Sequence, residues 1–505
     1  MTPAVLTNSI FTRNATRPLI IDSSSGASLS YREVAQRAAG LASRLESFGL
    51  KRGDRIGIRM PNGVEFALIY FACLLGGFVA VPVNSALAPN NEVILQRARL
   101  SALIVDERLG NAALTDLRFM LLSSNALFED SPSADDATVA IRLSRVDGDD
   151  LFSIHFTSGT TSFPKSVPHR VGALLSNALS FVSTCGLGSE RRFVHVMPMD
   201  YMAGFLNTLL CPLMAESSVI VLPQFSAASA LKFWDPIVRH CGDTIWMSPT
   251  MLATLVLVDR GSAGIGYCRT SDIRILSATA PLPLKVRTEF EAKYGVDPVE
   301  SYGLSELLLL TVNAGPAGSK AGSAGRFIPE AEVEIRDDAG SILPRNIDGK
   351  IFVRTPFASV GYLDLDSGSP VAPSSNWFDT GDGGHVDGDG YLFVTGRHKD
   401  LIIRGGFNVN PREIEEVLLR HPSVVNVAVV GTPHDYYGEA VVAAVIPKLG
   451  IDLATFEGEL HLLCRNDLPT QAMPDRFIGF TSFPVTQTGK VQKNKVRDQI
   501  MGTQL

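Results

Sequence analysis

Three observations predict an α/β fold of parallel-rich sheets flanked by helices, then an antiparallel region, then a small α+β domain. Segments of helical periodicity alternate with short apolar runs over much of the chain, the pattern of βαβ units and mainly parallel sheet. From about Glu332 the texture changes to short strands joined by Gly/Asp/Asn turns, and from about Asp400 helices and strands mix again over roughly a hundred residues. The composition is globular, with 45% hydrophobic and 19% charged residues. The mean hydropathy of +0.16 is too high for intrinsic disorder. At ~150 residues per domain, a length of 505 allows two to four domains.

Each element follows from local pattern. Tyr31 to Phe48 carries apolar residues at helical spacing and ends at Gly49, a helix stop. Arg55 to Met60 reads as a strand. The next segment, Phe66 to Val83, has 18 residues without a charge, the length at which a membrane span is suspected. The rival reading is a buried helix from Val64 to about Leu75, broken at Gly76-Gly77, then a buried strand from Phe78 to Val83. The two glycines and Pro82 fall where a helix-to-strand turn would sit, and that reading is preferred. Further strands are expected at Ala102–Val105, Val194–Val196, Ser218–Leu222, Thr244–Met247 and Ile273–Ser277, with the Asp/Ser-rich residues 129–150 as a surface loop. Glu332–Arg336, Lys350–Arg354 and Tyr391–Val394 are the antiparallel strands. The tail holds a helix (Pro411–Leu419), two strands (Val424–Val430, Ala440–Pro447) and another helix.

Charge and cysteines narrow the class. With 45 Lys+Arg against 52 Asp+Glu the net charge is −7, and no basic run is present. Nucleic acid or an anionic membrane is therefore not the expected partner. The six cysteines are scattered without a CxxC pair or metal-ligand spacing, as expected of reduced core thiols in a cytoplasmic protein. The opening residues lack the basic start and apolar run of a signal peptide.

Four segments carry chemistry. Thr157-Ser158-Gly159-Thr160-Thr161-Ser162-Phe163-Pro164-Lys165 follows an apolar strand and packs five hydroxyls into six residues. Backbone N–H groups and hydroxyls in such a loop can face phosphate oxygens while lysine neutralises charge, although the spacing is not that of a P-loop. Tyr302-Gly303-Leu304-Ser305-Glu306 offers an aromatic for a base, a glycine for close approach and a carboxylate for Mg2+; alone it also reads as a strand-end turn. Thr380-Gly381-Asp382 and Gly396-Arg397 supply a carboxylate for a ribose diol and a guanidinium for sugar or phosphate, with a turn aspartate as the plain alternative. Gly489-Lys490 places one lysine behind a glycine, ordinarily a solvated surface residue.

Together, and in this order, these segments resemble the adenylate-forming superfamily of acyl-CoA synthetases, nonribosomal-peptide adenylation domains and beetle luciferases, as does GRHKDLIIRGGFNVNPREIE at Gly396–Glu415. The resemblance runs from about Tyr31 to Lys495 and removes the membrane reading of Phe66–Val83, since the family has a buried helix and core strand there. It implies a large N-terminal domain (1–396) with a small antiparallel barrel-like region at about 326–396, a hinge at 397–400 and a small mobile α+β domain at 401–505. It also implies ATP-dependent activation of a carboxylate to an acyl-adenylate, release of pyrophosphate, then thioester formation on coenzyme A or a phosphopantetheine, with a carrier protein acting in trans. Under it Ser158, Gly159, Thr160, Thr161 and Lys165 would hold phosphates, and Glu306 would bind Mg2+. Ser305 would touch the α-phosphate, Tyr302 and Gly303 would flank adenine, and Ala278, Thr279 and Ala280 would run along the base. Asp382 and Arg397 would bind ribose, and Lys490 would bridge the carboxylate and α-phosphate. Rotation about Lys399 would bring Gly405 and Gly406 to the pantetheine.

The acyl group is expected near Asp200, Tyr201, Met202, Gly204, Asn207, Trp246, Met247, Ser277, Ser301 and Leu307, with Tyr201 and Trp246 narrowing the pocket toward a small or medium acid. Three positions depart from the family pattern. Ser162 and Ser166 replace glycines, which would cost roughly 1 kcal/mol if φ must be positive. Tyr201 replaces a frequent histidine, and Asp200 beside it either faces solvent or recognises an ammonium or hydroxyl. The alternatives are a non-catalytic relative that binds nucleotide or acyl groups, and an adenylate donor without thioester formation. The oligomeric state, monomer or homodimer, is open at this level.

Overall fold

The computed structural model describes residues 2–83, 98–109, 119–129, 132–157, 165–314, 318–364, 367–486 and 489–502. Two large sheets form the N-terminal part. One has six strands in the order Met120–Ser123, Ala102–Val105, Arg55–Arg59, Val79–Pro82, Leu151–Thr157 and Lys165–Arg170, all parallel except the last pair. The other has 13 strands. Its parallel stretch includes Arg192–His195, Thr244–Met247, Arg274–Ser277 and Val299–Leu304. Leu308–Val312, Gly325–Phe327, Tyr391–Arg397, Phe378–Val386, Gly349–Arg354 and Glu332–Arg336 then continue the same sheet antiparallel. The expected antiparallel region is thus hydrogen-bonded directly onto the parallel one, and the change of direction falls at the turn 305–307, which carries Glu306.

Phe66–Val83 resolves as a helix and a strand. The helix Val64–Gly76 buries every side chain from Phe66 to Leu75, because it runs through the core between the sheets. Gly77, at φ +69, ends it, and the strand Val79–Pro82 follows. Among the described residues no helix is long and apolar enough to cross a membrane. The helix Tyr31–Ser47 starts at a capping box in which Ser30 and Glu33 satisfy each other's main-chain N–H groups.

Two expectations are corrected. Residues 129–150 are not all loop: Asp136–Ser144 is helical, because the Asp135 carboxylate accepts the Thr138 N–H at 2.8 Å and Val139 and Leu143, one turn apart, are buried. The Asp/Ser content marked a helix cap, which composition alone does not separate from a loop. Of the cysteines, Cys73, Cys211, Cys268 and Cys464 are buried, whereas Cys185 is half-buried and Cys241 is exposed beyond the end of the helix Trp234–Arg239.

The small domain folds around its own core of Ile414, Leu418, Val429 and Val441. Its sheet runs Phe407–Val409, Ile402–Arg404, Gly438–Pro447 and Val424–His434, with Arg476–Gly479 added parallel to Gly438–Pro447. The helix Pro411–Leu419 packs on it.

Three buried histidines make the large domain acid-sensitive. Burial pushes His155 down to about 3, His169 to about 4 and His195 to about 3, and neighbouring His169 adds to the shift at His155. Each lies below the ordinary 6.5, so as pH falls the unfolded chain takes up protons first and stability drops from about pH 6.5 toward pH 4. The expected loss at pH 5 is roughly 2 kcal/mol per histidine. A Tm series from pH 7.5 to 5 checks this, with His169→Gln expected to flatten the slope.

Candidate active site

The best-defined part of the site is a carboxylate gripped from two strands. Asp382 and Arg397 face each other in register on antiparallel neighbours. Arg397 Nε lies 2.9 Å from Asp382 Oδ1, and the Tyr302 hydroxyl donates to Oδ2 at 2.7 Å. The Asp382 side chain is 6% exposed, so these charge-assisted bonds act in a low-dielectric setting. The strand Phe378–Val386 is pinned by the Thr380 hydroxyl, which donates to the Ile351 carbonyl at 2.9 Å and accepts the Asp382 N–H at 3.1 Å. Tyr302 begins a bulge at Tyr302/Gly303, where a Cβ at Gly303 would meet the Leu308 carbonyl oxygen at 2.2 Å. Only glycine permits this approach, and the bulge turns the chain toward Ser305 and Glu306.

Glu306 is joined to Lys165 through a residue that sequence reasoning missed. The Tyr362 hydroxyl donates to Glu306 Oε1 at 2.9 Å, and Lys165 Nζ lies 4.7 Å from the centre of the Tyr362 ring. Burial, with Glu306 adding to it, pushes the Tyr362 hydroxyl well up, so it stays protonated and donates. Tyr362 is 56 residues from Glu306 in sequence, and nothing local marks it. His169 was missed likewise: its Nε2 sits 2.6 Å from the Ser305 carbonyl, so the neutral ring donates there and fixes the turn before Glu306. Ser158, Gly159, Thr160, Thr161 and Ser162 lie outside the described residues. Ser166 is in the regular strand Lys165–Arg170, and its hydroxyl accepts the Leu363 N–H at 3.3 Å. It is not among the residues with positive φ, so serine carries no left-handed penalty there.

At the end of the strand Arg274–Ser277, Thr279 has φ +77. For a β-branched residue that is an outlier of the kind held at functional sites. Its buried Oγ1 has no hydrogen-bond partner among the described residues. Ala278 is buried and Ala280 half-buried beside it.

The acyl residues divide. The Tyr201 hydroxyl has its pKa raised by burial and by Glu306 and lowered by Arg397, so it lies within electrostatic reach of both. Asp200 is half-buried within electrostatic reach of the Tyr70 hydroxyl. Met202, Gly204 and Asn207 are buried in the segment that continues into a π-helical turn, Leu206–Leu210, a distortion common at functional sites. Trp246 joins the same core, its ring 5.3 Å from that of Phe181, while Met247 points to the opposite core because successive strand residues alternate. Ser277 and Ser301 are buried, their hydroxyls without a hydrogen-bond partner among the described residues, and Leu307 belongs to the core of the antiparallel region.

Lys490 comes from the small domain. It sits on a hairpin closed by the Val485–Val491 bridge, with Lys490 N–H donating to Thr486 Oγ1 at 3.1 Å. Lys490 is an exposed residue. Desolvation of its ammonium by the surrounding protein lowers its pKa to about 8; Arg397 and Lys399 also lower it, while Asp382 and Asp400 raise it. The structure therefore puts Lys490 within electrostatic reach of Asp382 and Arg397, more than ninety residues away along the chain. Lys399 lies in the short turn His398–Asp400 between the domains. Gly405 and Gly406, at φ +57 and +85, form the tip of an exposed hairpin of the small domain.

A two-domain chain whose large domain groups Asp382, Arg397 and Tyr302, and whose small domain brings a lysine within electrostatic reach of them, has the architecture of an adenylate-forming enzyme. The AMP-binding enzyme family matches residues 10–363 and the AMP-binding enzyme C-terminal domain matches 413–490; the chain belongs to this family and is an AMP-forming acid–thiol ligase. A long-chain-fatty-acid–CoA ligase, FadD13 of Mycobacterium tuberculosis, is 30% identical over 497 residues, 96% of this chain and 95% of that one. The oxalate–CoA ligase of Arabidopsis thaliana is also 30% identical, over 91% of each chain. ATP-bound MatB from Rhodopseudomonas palustris, 27% identical, superimposes with a TM-score of 0.84 over 99% of both chains. Apo MatB gives 0.73 over 100% of both.

The electrostatics of Lys490 are directly measurable. Competitive acetylation followed by mass spectrometry is expected to titrate it with a midpoint near 8. Asp382 raises this value, so Asp382→Asn is expected to move the midpoint lower; an unchanged midpoint would mean the two groups do not interact.

Proposed function

We propose that the chain activates a small or medium carboxylic acid with ATP and transfers the acyl group to coenzyme A. The observation that carries this reading is that Lys490 of the small domain lies within electrostatic reach of Asp382 and Arg397, the pair that Tyr302 completes. The acid's oxygen attacks the α-phosphorus and pyrophosphate leaves. The thiol, losing its proton, then forms the thioester and AMP leaves. The first step concentrates anionic oxygens, so fixed cations at Lys490, Arg397 and Lys165 favour its transition state.

Glu306 would hold Mg2+. A single carboxylate suits this ion, which keeps water and phosphate oxygens as its other ligands, and the Tyr362 hydroxyl holds Oε1 and thereby the orientation of the group. Mg2+ supplies neutralising charge to the leaving phosphates. Asp382 would accept hydrogen bonds from the ribose hydroxyls through lone pairs that Tyr302 and Arg397 leave open. The strained Thr279 offers its unbonded hydroxyl at the edge of the base, as expected of a polar ligand site. Ser305 would contact the α-phosphate, its carbonyl held by His169.

Trp246, 1% exposed against Phe181, supports an acid of limited length, since the space between the sheets is filled by aromatic rings. Relatives of equal identity act on acids as different as oxalate and long-chain fatty acids, so the lining decides the substrate and overall similarity does not. Coenzyme A as acceptor is supported by the relatives' activity; a carrier protein supplying phosphopantetheine would use the same thiol chemistry.

Pyrophosphate exchange over a panel from acetate and benzoate to hexadecanoate tests this reading. Short and aromatic acids are expected to exchange and hexadecanoate not. Lys490→Ala is expected to lose at least about 100-fold, within the range set by loss of one electrostatic donor. The kcat/KM for adenylation is expected to fall tenfold per pH unit above about 8, as Lys490 loses its proton, and Lys490→Arg to remove that limb. A folded protein silent toward every acid would overturn the proposal.

A further inference from the structure

Lys490 can act only if the whole small domain is held against the large one, and the interface shows which contacts hold it. The Gly489 carbonyl accepts a 2.8 Å hydrogen bond from Thr250 Oγ1, at the start of the large-domain helix Pro249–Val258. Gly489 has φ +81, and a Cβ there would lie 2.7 Å from Thr250 Cβ, so glycine is needed for both the turn and the contact. Farther along, Lys285 Nζ donates at 2.8 Å to the Val424 carbonyl, where the small domain's strand Val424–His434 begins. Lys285 stands in the first turn of the helix Leu284–Tyr294, which has no side-chain cap of its own. The Glu416 carboxylate of the small domain is approached by the Leu284 main-chain N–H and brings negative charge to that helix end. Arg412, on the same small-domain helix, donates to the Val394 carbonyl of the large domain and lies within electrostatic reach of Glu300.

The two docking helices follow neighbouring parallel strands, Thr244–Met247 and Arg274–Ser277, so both present their N-termini at the sheet edge where the site is built. Every contact has its partners on opposite sides of Lys399. A rotation about that residue separates them together and withdraws Lys490. Thr250 and Lys285 bond main-chain carbonyls, so they fix the position of the small domain and leave its side chains free for chemistry.

We propose that Thr250 and Lys285 are positioning residues that dock the small domain in the pose delivering Lys490, and that they serve the adenylation half-reaction but not thioester formation. The inference rests on the two-half-reaction reading above. It concerns docking, so it can be tested apart from activity.

Thr250→Val keeps the side chain's shape and Lys285→Met keeps its aliphatic stem, and each removes one donor. Losing a hydrogen bond shifts an equilibrium about fivefold, so the double variant is expected to shift docking roughly 25-fold. Hydrogen exchange read by mass spectrometry on the full chain should show faster exchange in the peptide carrying Gly489 and Lys490. The strands Thr244–Met247 and Arg274–Ser277 should stay protected, which a misfolded variant would not show. With the acid that exchanges best in the panel, pyrophosphate exchange is expected to fall at least tenfold. Thioester formation from the presynthesised adenylate of that acid should stay within twofold of wild type. A double variant with unchanged exchange of the hairpin peptide overturns the proposal, as does an equal fall in both half-reactions. If wild type turns over no acid, the functional reading fails, and hydrogen exchange alone decides the docking: a rise supports it and no change refutes it.

Discussion

The buried carboxylate of Asp382 is the constraint around which the site is organised. A carboxylate 6% exposed is costly unless its charge is met, and here Arg397 and the Tyr302 hydroxyl each take one oxygen. Meeting that charge ties three strands of one sheet together and fixes Arg397 two residues before Lys399, where the chain leaves the large domain. The ion pair therefore sets the starting point and direction of everything that follows, including the path by which the small domain returns to the cleft. Loss of Arg397 would leave the buried Asp382 charge without its cation beside the junction of the two domains.

Cations at the site are few and placed on separate elements. Lys165 starts an edge strand, Arg397 ends an inner one, and Lys490 arrives on a hairpin of another domain. Burial has the largest effect on Lys490; Arg397 and Lys399 lower its pKa further, while Asp382 and Asp400 act the other way. The contacts at Thr250, Lys285, Glu416 and Arg412 join the small domain that carries Lys490 to the large one.

Much of the fold was legible because it depends on patterns of short range. The helix-glycine-strand reading of Phe66–Val83, the parallel strands at Thr244–Met247 and Arg274–Ser277 and the switch to antiparallel strands all follow from periodicity and turn residues. The helix Asp136–Ser144 was hidden because its cap, Asp135, has the composition of a loop. Tyr362, His169 and Thr250 were hidden for a different reason. Each acts on a partner between 56 and 239 residues away, through a hydroxyl or ring that any surface residue of its type also carries.

The sequence by itself determined the order of the elements and which short segments carry the carboxylates, cations and hydroxyls, because local backbone preference and side-chain chemistry are properties of short segments. Only the tertiary structure decided which of those groups meet. It separated Met247 from Trp246 by the alternation of one strand, set Leu307 in a different core, kept Ser166 in regular strand geometry and put Lys490 within electrostatic reach of Asp382. Those outcomes depend on register and domain docking, which arise from many distant contacts acting together and leave no mark on any one segment.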